Sequence, residues 1–355
     1  MFYLIIFIVL FLAFLIMYYN VHSIRKITII ENLKVNKYIK ILIVILLLLS
    51  LLIFYNFVNF IIIIIHLGSF ILISNLILFI IEKIRKKDIK NKNNIKVIMG
   101  LIITIIYLGI GTYLCFHIFE TKYTVLTDKD VNLRIIQIAD SHIGTTFDGE
   151  GFKKEIEKIS KIDSDLFVIT GDFVDDDTSK TDMIKGCEAL SLLHPKYGVY
   201  FVFGNHDRGY FNNREYTGED LIKELEKNNV KVLIDEVVTF DNFYLIGRED
   251  KSKNRKSIDE LVKDLDNRYK IVLNHQPNDF DNEENKVDLV LCGHTHGGQM
   301  IPLGLIGALS SNDLEQGMEK RSNTTFIVTS GISDWSVHFK TGTKSEYVII
   351  DIKKK

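Results

Sequence analysis

Residues 39–81 run for 43 positions with a single formal charge, Lys40. As one helix this stretch would be roughly 65 Å long, about twice the ~30 Å hydrocarbon core of a bilayer. It must therefore fold back once. The polar pair Asn56 and Asn59 is the expected turn, leaving spans near 39–55 and 60–81. Two more apolar runs flank it, at 2–19 and 97–119. Buried helices of a soluble protein are shorter and less charge-free than these. The reading is an N-terminal four-helix transmembrane region over residues 1–120. The first run has no basic n-region and no small-x-small cleavage site, so it reads as a retained span, not a removed signal peptide.

Charge sets the expected orientation. Residues 20–40 hold Arg25, Lys26, Lys34, Lys37 and Lys40, and residues 82–96 hold seven more basic side chains. With four spans both basic loops share one side, which the positive-inside rule makes cytoplasmic. The expectation is a multi-pass cell-membrane protein, partnered by the lipid bilayer, with its remaining chain extracytoplasmic. Residues 1–120 carry net +8, whereas residues 121–355 carry net −10. An acidic globular part excludes nucleic acid as the main partner, because phosphate backbones require clustered positive charge. The three cysteines, Cys115, Cys187 and Cys292, lack CxxC spacing, so neither a disulfide framework nor a cysteine zinc site is expected.

Residues 121–132 read as a polar linker. From 133 to 355, strand and helix patterns alternate. Apolar runs near 133–139, 165–170, 198–203, 231–234, 243–247, 269–274, 287–292, 325–329 and 346–352 read as strands. Helical spacing appears at Phe152, Ile156 and Ile159, and near 180–193, 217–228 and 257–266. The pattern predicts one α/β layered domain with mixed sheets.

The chemistry lies where strands end abruptly in polar residues. These ends are Asp140-Ser141-His142, Gly171-Asp172, Gly204-Asn205-His206-Asp207, Asn274-His275 and Gly293-His294-Thr295-His296-Gly297-Gly298. In open α/β sheets ligands sit outside the carboxyl ends of strands, so five turns converge on one edge. Candidate metal ligands there are Asp140, His142, Asp172, Asn205, His275, His294 and His296, with His206 beside them. Mixed imidazole and carboxylate donors suit Zn, Fe or Mn. Seven donors exceed one tetrahedral site and suit two ions sharing a carboxylate, the arrangement for in-line displacement at phosphorus. Asp175, Asp176 and Asp177 read as a solvated acidic loop, and Trp335 as core or rim packing, with contact to lipid head groups as the alternative.

In that order the motifs resemble the calcineurin-like metallophosphoesterases over roughly residues 133–352. The Gly-His-Thr-His-Gly-Gly-Gln run through Gln299 is similar to that of the membrane-associated bacterial branch of the YkuE type. The resemblance implies a four-layer α/β/β/α sandwich. It also implies that Asp140, His142 and His296 hold one divalent ion, that Asn205, His275 and His294 hold the other, and that Asp172 bridges both. His206 would then be catalytic, sitting beside the substrate phosphate and helping the leaving group depart, while hydroxide shared by the ions attacks phosphorus. Asp207 would orient His206 or its loop. The sequence departs from the family pattern near its end: Lys340 stands where an Arg is expected and Ser345 where a Pro is expected, which bears on the substrate-side contacts.

The expected activity is hydrolysis of a phosphodiester or pyrophosphate bond, with a lipid-linked or cell-envelope phosphoester as substrate because of the membrane tether. The alternative is a non-catalytic membrane receptor or scaffold that keeps the fold. Loss of a metal ligand would mark it, and all seven are present. A transporter regulated by the globular part gains little support from spans without proline or a buried charge pair.

Overall fold

The computed structural model describes residues 2–210, 214–301 and 312–355. The chain divides into two compact units, Met1–Gly111 and Thr112–Lys355.

The first unit holds helices α1 (Phe2–Arg25), α2 (Thr28–Glu31), α3 (Lys37–Leu49), α4 (Phe57–Arg85) and most of α5 (Lys92–Phe116). Asn56 does not sit at the centre of a turn. Its side chain caps α4 by accepting from Asn59 N at 2.9 Å, a favoured N-cap arrangement. The helix therefore begins at Phe57 and Asn59 is buried inside it. Before this, α3 runs only 13 residues and passes into a 3₁₀ turn over Ser50–Ile53. By length and composition α4 and α5 can each cross a membrane, while α1 is apolar over Leu10–Arg25. Two of the four expected spans thus meet that criterion among the described residues. The helices share a core that includes Val44, Ile64, Leu67, Ile71 and Val97. A Cβ on Gly100 would lie 2.8 Å from Ile71 N, so glycine lets α5 approach the α4 backbone, as small residues do between apolar helices.

The second unit is built on two six-stranded sheets. Its strands are β1 (Ile118–Thr127), β2 (Leu133–Ile138), β3 (Leu166–Thr170), β4 (Val199–Val202), β5 (Val230–Val232), β6 (Glu236–Thr239), β7 (Phe243–Gly247), β8 (Tyr269–Leu273), β9 (Leu289–Cys292), β10 (Gly317–Arg321), β11 (Thr324–Val328) and β12 (Ser345–Lys354). One sheet has the order β1-β12-β2-β3-β4-β5 and the other β10-β11-β9-β8-β7-β6. Helices α6 (Gly149–Ile159), α7 (Lys180–Leu190), α8 (Gly218–Lys227), α9 (Ile258–Val262) and α10 (Phe280–Glu283) connect them.

Three apolar layers fix the stacking. Ile135, Leu166, Val168, Leu245, Ile271 and Leu291 meet between the sheets. Phe152, Ile156, Met183 and Leu221 bring α6, α7 and α8 onto the outer face of the first sheet, against Phe167 and Phe201. Ile258 and Phe280 bring α9 and α10 onto the other sheet, against Val272 and Phe326. The result is helix, sheet, sheet, helix, each sheet burying both faces.

Residues 121–132 are not a linker. β1 takes residues 118–127 and pairs in parallel with β12 from Ile118↔Ser345 to Thr127↔Lys354. The compact unit already starts at Thr112, and α5 ends at Phe116, before the expected limit of 119. The stretch Glu120-Thr121-Lys122-Tyr123-Thr124 alternates exposed and half-buried positions at a sheet edge. Such charged edge strands discourage further pairing, and their polarity resembles that of a loop.

Candidate metal centre

β2, β3, β4, β8 and β9 end on one side of the domain, and each continues into a polar turn. The turns are stitched together by the backbone. Asp140 N donates to Gly171 O at 3.0 Å, His142 N to Asp172 O at 3.1 Å, and Gly293 N to His275 O at 3.0 Å. An isolated bridge between Ile143 and Val174 carries this pairing beyond the strands. Asp140, His142, Asp172, His294 and His296 all have positive φ, between 35° and 75°. A non-glycine residue held there costs about 1–3 kcal/mol, and five of them sit among the seven predicted ligands. A Cβ on Gly204 would lie 2.1 Å from Asp172 Oδ1, so only glycine lets the β4 turn reach the carboxylate.

The predicted ligands fall into two clusters. Asp140, His142 and His296 bring one donor atom each within 4.8 Å of one another, as do Asp172, His275 and His294. In the first cluster, His296 Nε2 lies 3.8 Å from Asp140 Oδ1, and His142 Nε2 is buried without a hydrogen-bond partner. In the second, His275 Nε2 lies 3.1 Å from Asn205 Oδ1 and 3.3 Å from His294 Nδ1. Its Nδ1 donates to Thr170 O at 2.8 Å, which turns Nε2 toward the other donors of the cluster. Asp172 stands between the clusters: Oδ2 is 3.1 Å from His275 Nε2 and 3.7 Å from His142 Nε2.

The electrostatics fit divalent cations. Burial, then the neighbouring His275, lowers His294 to about 4. Burial and His142 hold His296 well below its ordinary value. Both rings are thus neutral at neutral pH, as coordination requires. His275 goes the other way: burial opposes its charge, but Asp172 prevails and pushes it up to about 10. Burial also works against Asp172, whose carboxyl is nonetheless held far below the usual range by His275 and His142. Without metal, a proton on His275 occupies the position a cation would take. Loading the metal-free protein near neutral pH is therefore expected to release about one proton per chain from this ring, with affinity falling as pH falls. Titration calorimetry in buffers of different ionisation enthalpy measures this; a buffer-independent heat would refute it.

His206 lies outside both clusters and is half-buried. Its Nδ1 is 3.0 Å from Asp175 Oδ1, while the other oxygen of Asp175 lies 3.1 Å from His142 Nδ1. Burial lowers the His206 pKa, but Asp175 and Asp172 outweigh it and raise it to about 9. The ring is therefore an imidazolium at neutral pH, able to donate a proton. Asp175 is not a solvated residue of an acidic loop. It is only 9% exposed and orients two site histidines, since the Ile143–Val174 bridge draws its segment alongside His142. The signal in the sequence was its position, three residues after Asp172.

Asp207 does not face His206. Its buried carboxylate accepts from Asp172 N, Phe173 N, Val174 N and Gly204 N at 2.7–3.1 Å, bracing the turns that carry Asp172 and Asn205. Lys340 does not reach the substrate side: it is fully buried, and its Nζ donates to Ser330 O and Ser333 O at 2.9 Å. A lysine suffices there because two carbonyls need donors, not a bidentate fork. Tyr210, not anticipated from sequence, stands beside the site, its ring 5.0 Å from that of His206. Its hydroxyl accepts from Asn205 Nδ2 at 2.6 Å, turning the amide oxygen toward His275.

Comparison with known proteins agrees with this geometry. A family model described as calcineurin-like phosphoesterase matches residues 133–298, which include every predicted ligand and His206. The chain is 30% identical over 224 residues to the metallophosphoesterase YkoQ of Bacillus subtilis, covering 60% of this chain and 81% of that protein. It is 25% identical to the metallophosphoesterase YkuE of Bacillus subtilis, covering 69% of this chain and 89% of that one. It is also 27% identical to a Danio rerio protein named transmembrane protein with metallophosphoesterase domain, covering 62% of this chain but only 53% of the fish protein. Matched motifs and clustered donors together mean that the chain belongs to the calcineurin-like phosphoesterases and is a metal-dependent phosphoric ester hydrolase.

Proposed function

We propose that the chain is a membrane-anchored phosphoesterase in which Asp140, His142 and His296 would hold one divalent ion, Mn, Zn or Fe, and Asn205, His275 and His294 would hold a second, with Asp172 serving both sets. It hydrolyses a phosphodiester or pyrophosphate bond of a lipid-linked or cell-envelope substrate. The observation that carries this reading is the Asp172 carboxylate, 3.1 Å from His275 Nε2 in one donor set and 3.7 Å from His142 Nε2 in the other. Bound ions would supply a water acidic enough to form hydroxide near neutral pH and would offset charge on the phosphoryl oxygens. The chain's own contribution is orientation and proton supply. Asp175 holds His206 as an imidazolium at the open side of the clusters, where it stabilises developing charge and protonates the leaving oxygen.

The same reading places α1, α3, α4 and α5 as four spans, the basic loops in the cytoplasm and the domain outside it. The fish relative pairs the same two parts in its name. A reporter active only in the cytoplasm, fused after Lys355, is expected to be silent; activity would reverse the orientation.

The activity test uses the full chain in detergent, stripped of metal and reloaded with Mn or Zn. Hydrolysis of an aryl phosphodiester is expected, dependent on metal and faster than that of the matching monoester. A folded, metal-loaded protein with no turnover on either would favour the scaffold reading instead.

A further inference from the structure

The chain enters its second unit at the edge that carries the metal centre. The last turn of α5, from Thr112, belongs to this unit. Cys115 is fully buried there. Its thiol lies 3.7 Å from Val337 O and 4.0 Å from Asp334 Oδ2, and its carbonyl accepts from Ser345 Oγ at 2.6 Å. The Phe116 ring meets His338 edge-on at 5.6 Å. Only His117 separates α5 from β1, whose first residue pairs with Ser345, the first residue of β12. β12 runs antiparallel to β2, from Val348↔Gln137 to Ile352↔Leu133. The start of β1 is therefore level with the end of β2, where Asp140 and His142 lie.

The segment between entry point and metal centre touches both. Asp334 Oδ1 stands 3.9 Å from His296 Nδ1. The next residue is Trp335, the only tryptophan of the chain, and its carbonyl accepts from Thr145 Oγ1 at 3.3 Å. Thr145 N in turn donates to His142 O. Although so close to the site, the Trp335 side chain is not packed away: it is 46% exposed, and so are Tyr113 and Phe116, at 58% and 45%, on the turn that sets Cys115 against Asp334, and Ile301, at 55%, whose N donates to Thr341 Oγ1. Large exposed apolar groups gathered at one place mark an interaction surface.

We infer that Tyr113, Phe116, Trp335 and Ile301 form a rim that seats the metal-centre edge in the headgroup layer of a bilayer, so that the substrate is a phosphoester carried by a lipid at that surface. This rests on the reading that α5 spans the membrane. A 25-residue helix is about 37 Å long, enough to cross a ~30 Å core and end in the headgroup region. Its last turn is held in the domain by the Cys115 carbonyl, which accepts from Ser345 Oγ, so the chain leaves the helix at the edge that carries the metal centre. Tryptophan and tyrosine favour this depth because their rings are apolar and their polar atoms remain hydrated.

The single tryptophan makes the inference measurable on the native chain. The full-length protein is reconstituted in phosphatidylcholine vesicles, with or without bromine near the headgroup end of the acyl chains. Trp335 emission is expected to fall about twofold or more in the brominated vesicles and to resist aqueous iodide, as for a ring at the interface. Trp335→Phe serves as the blank, and Phe116→Trp in that background probes the rim a second time. Emission untouched by bromine but quenched by iodide at both positions would overturn the inference. The same vesicles are assayed with one aryl phosphodiester, made water-soluble or carried on a long acyl chain. The acylated form is expected to turn over about tenfold faster in kcat/KM, a difference of ~1.4 kcal/mol; equal rates would refute the lipid substrate. Quenching without turnover of either form would sink the phosphoesterase reading while leaving the docking rim standing.

Discussion

Asp172→Asn is expected to lower kcat for phosphodiester hydrolysis by about 10³-fold, at least as much as removing one preorganised electrostatic group at a reacting centre. The carboxylate is within 3.1 Å of His275 Nε2 and 3.7 Å of His142 Nε2, so its negative charge serves both clusters. An amide of the same shape keeps one acceptor oxygen but leaves the imidazoles around it without their counter-charge. Metal content measured on the purified variant should fall below that of the wild type. His275, raised to about 10 by Asp172 against the effect of burial, should titrate at lower pH in the metal-free variant, which NMR of its ring protons can follow. A variant that retains both metals and near wild-type kcat would show that Asp172 does not join the clusters.

His206→Ala should lower kcat by about 10²–10⁴-fold, the range for loss of a positioned proton donor, and leave metal content unchanged. The two variants thus separate holding metal from moving protons. The loss should be smaller for a substrate whose leaving phenol is acidic, because such a group departs without protonation. An alanine variant whose deficit is the same for good and poor leaving groups would remove His206 from the role of proton donor. The imidazolium exists because Asp175 lies 3.0 Å away in a half-buried site, and its pKa of about 9 keeps the donor charged across the neutral range.

The layered domain and its ligand set could be read from sequence because both have local signatures. A buried parallel strand is a short apolar run, and five such runs here pass straight into a turn that carries Asp, Asn or His, in three of them next to glycine. Asp140, His142, Asp172, Asn205, His275, His294 and His296 fall on that rule, and the structure gathers them at one edge. Asp175 escaped because its partners are distant in sequence, and of the two roles read for Asp207 the loop holds and the ring does not, because its partners are backbone groups. An Asp in a run of three acids reads as solvated until a bridge such as Ile143–Val174 is known. A carboxylate that accepts four N–H groups from two turns leaves no mark in composition. The role of Lys340 was not legible for a related reason: whether a lysine faces a substrate or two buried carbonyls depends on the path of the 330–342 segment. The helical third was legible in extent, yet Asn56 acts as a cap and not as a hinge, which moved the start of α4.

The strand that replaces the expected linker has a consequence for the life of the protein. Enzymes tethered through flexible stalks can be shed by proteases, which cut exposed, unpaired chain. Here the residues after α5 pass at once into β1, which is held to β12 across ten registered pairs. A nick at the exposed turn after Thr127 would sever the backbone, but β1 would remain zipped to its neighbour, and the catalytic part would stay attached to its helix. Release would require peeling away an entire strand. On the proposed reading, in which α5 crosses a membrane, a single nick after Thr127 would leave the hydrolase with that membrane, because ten registered pairs hold β1 to β12.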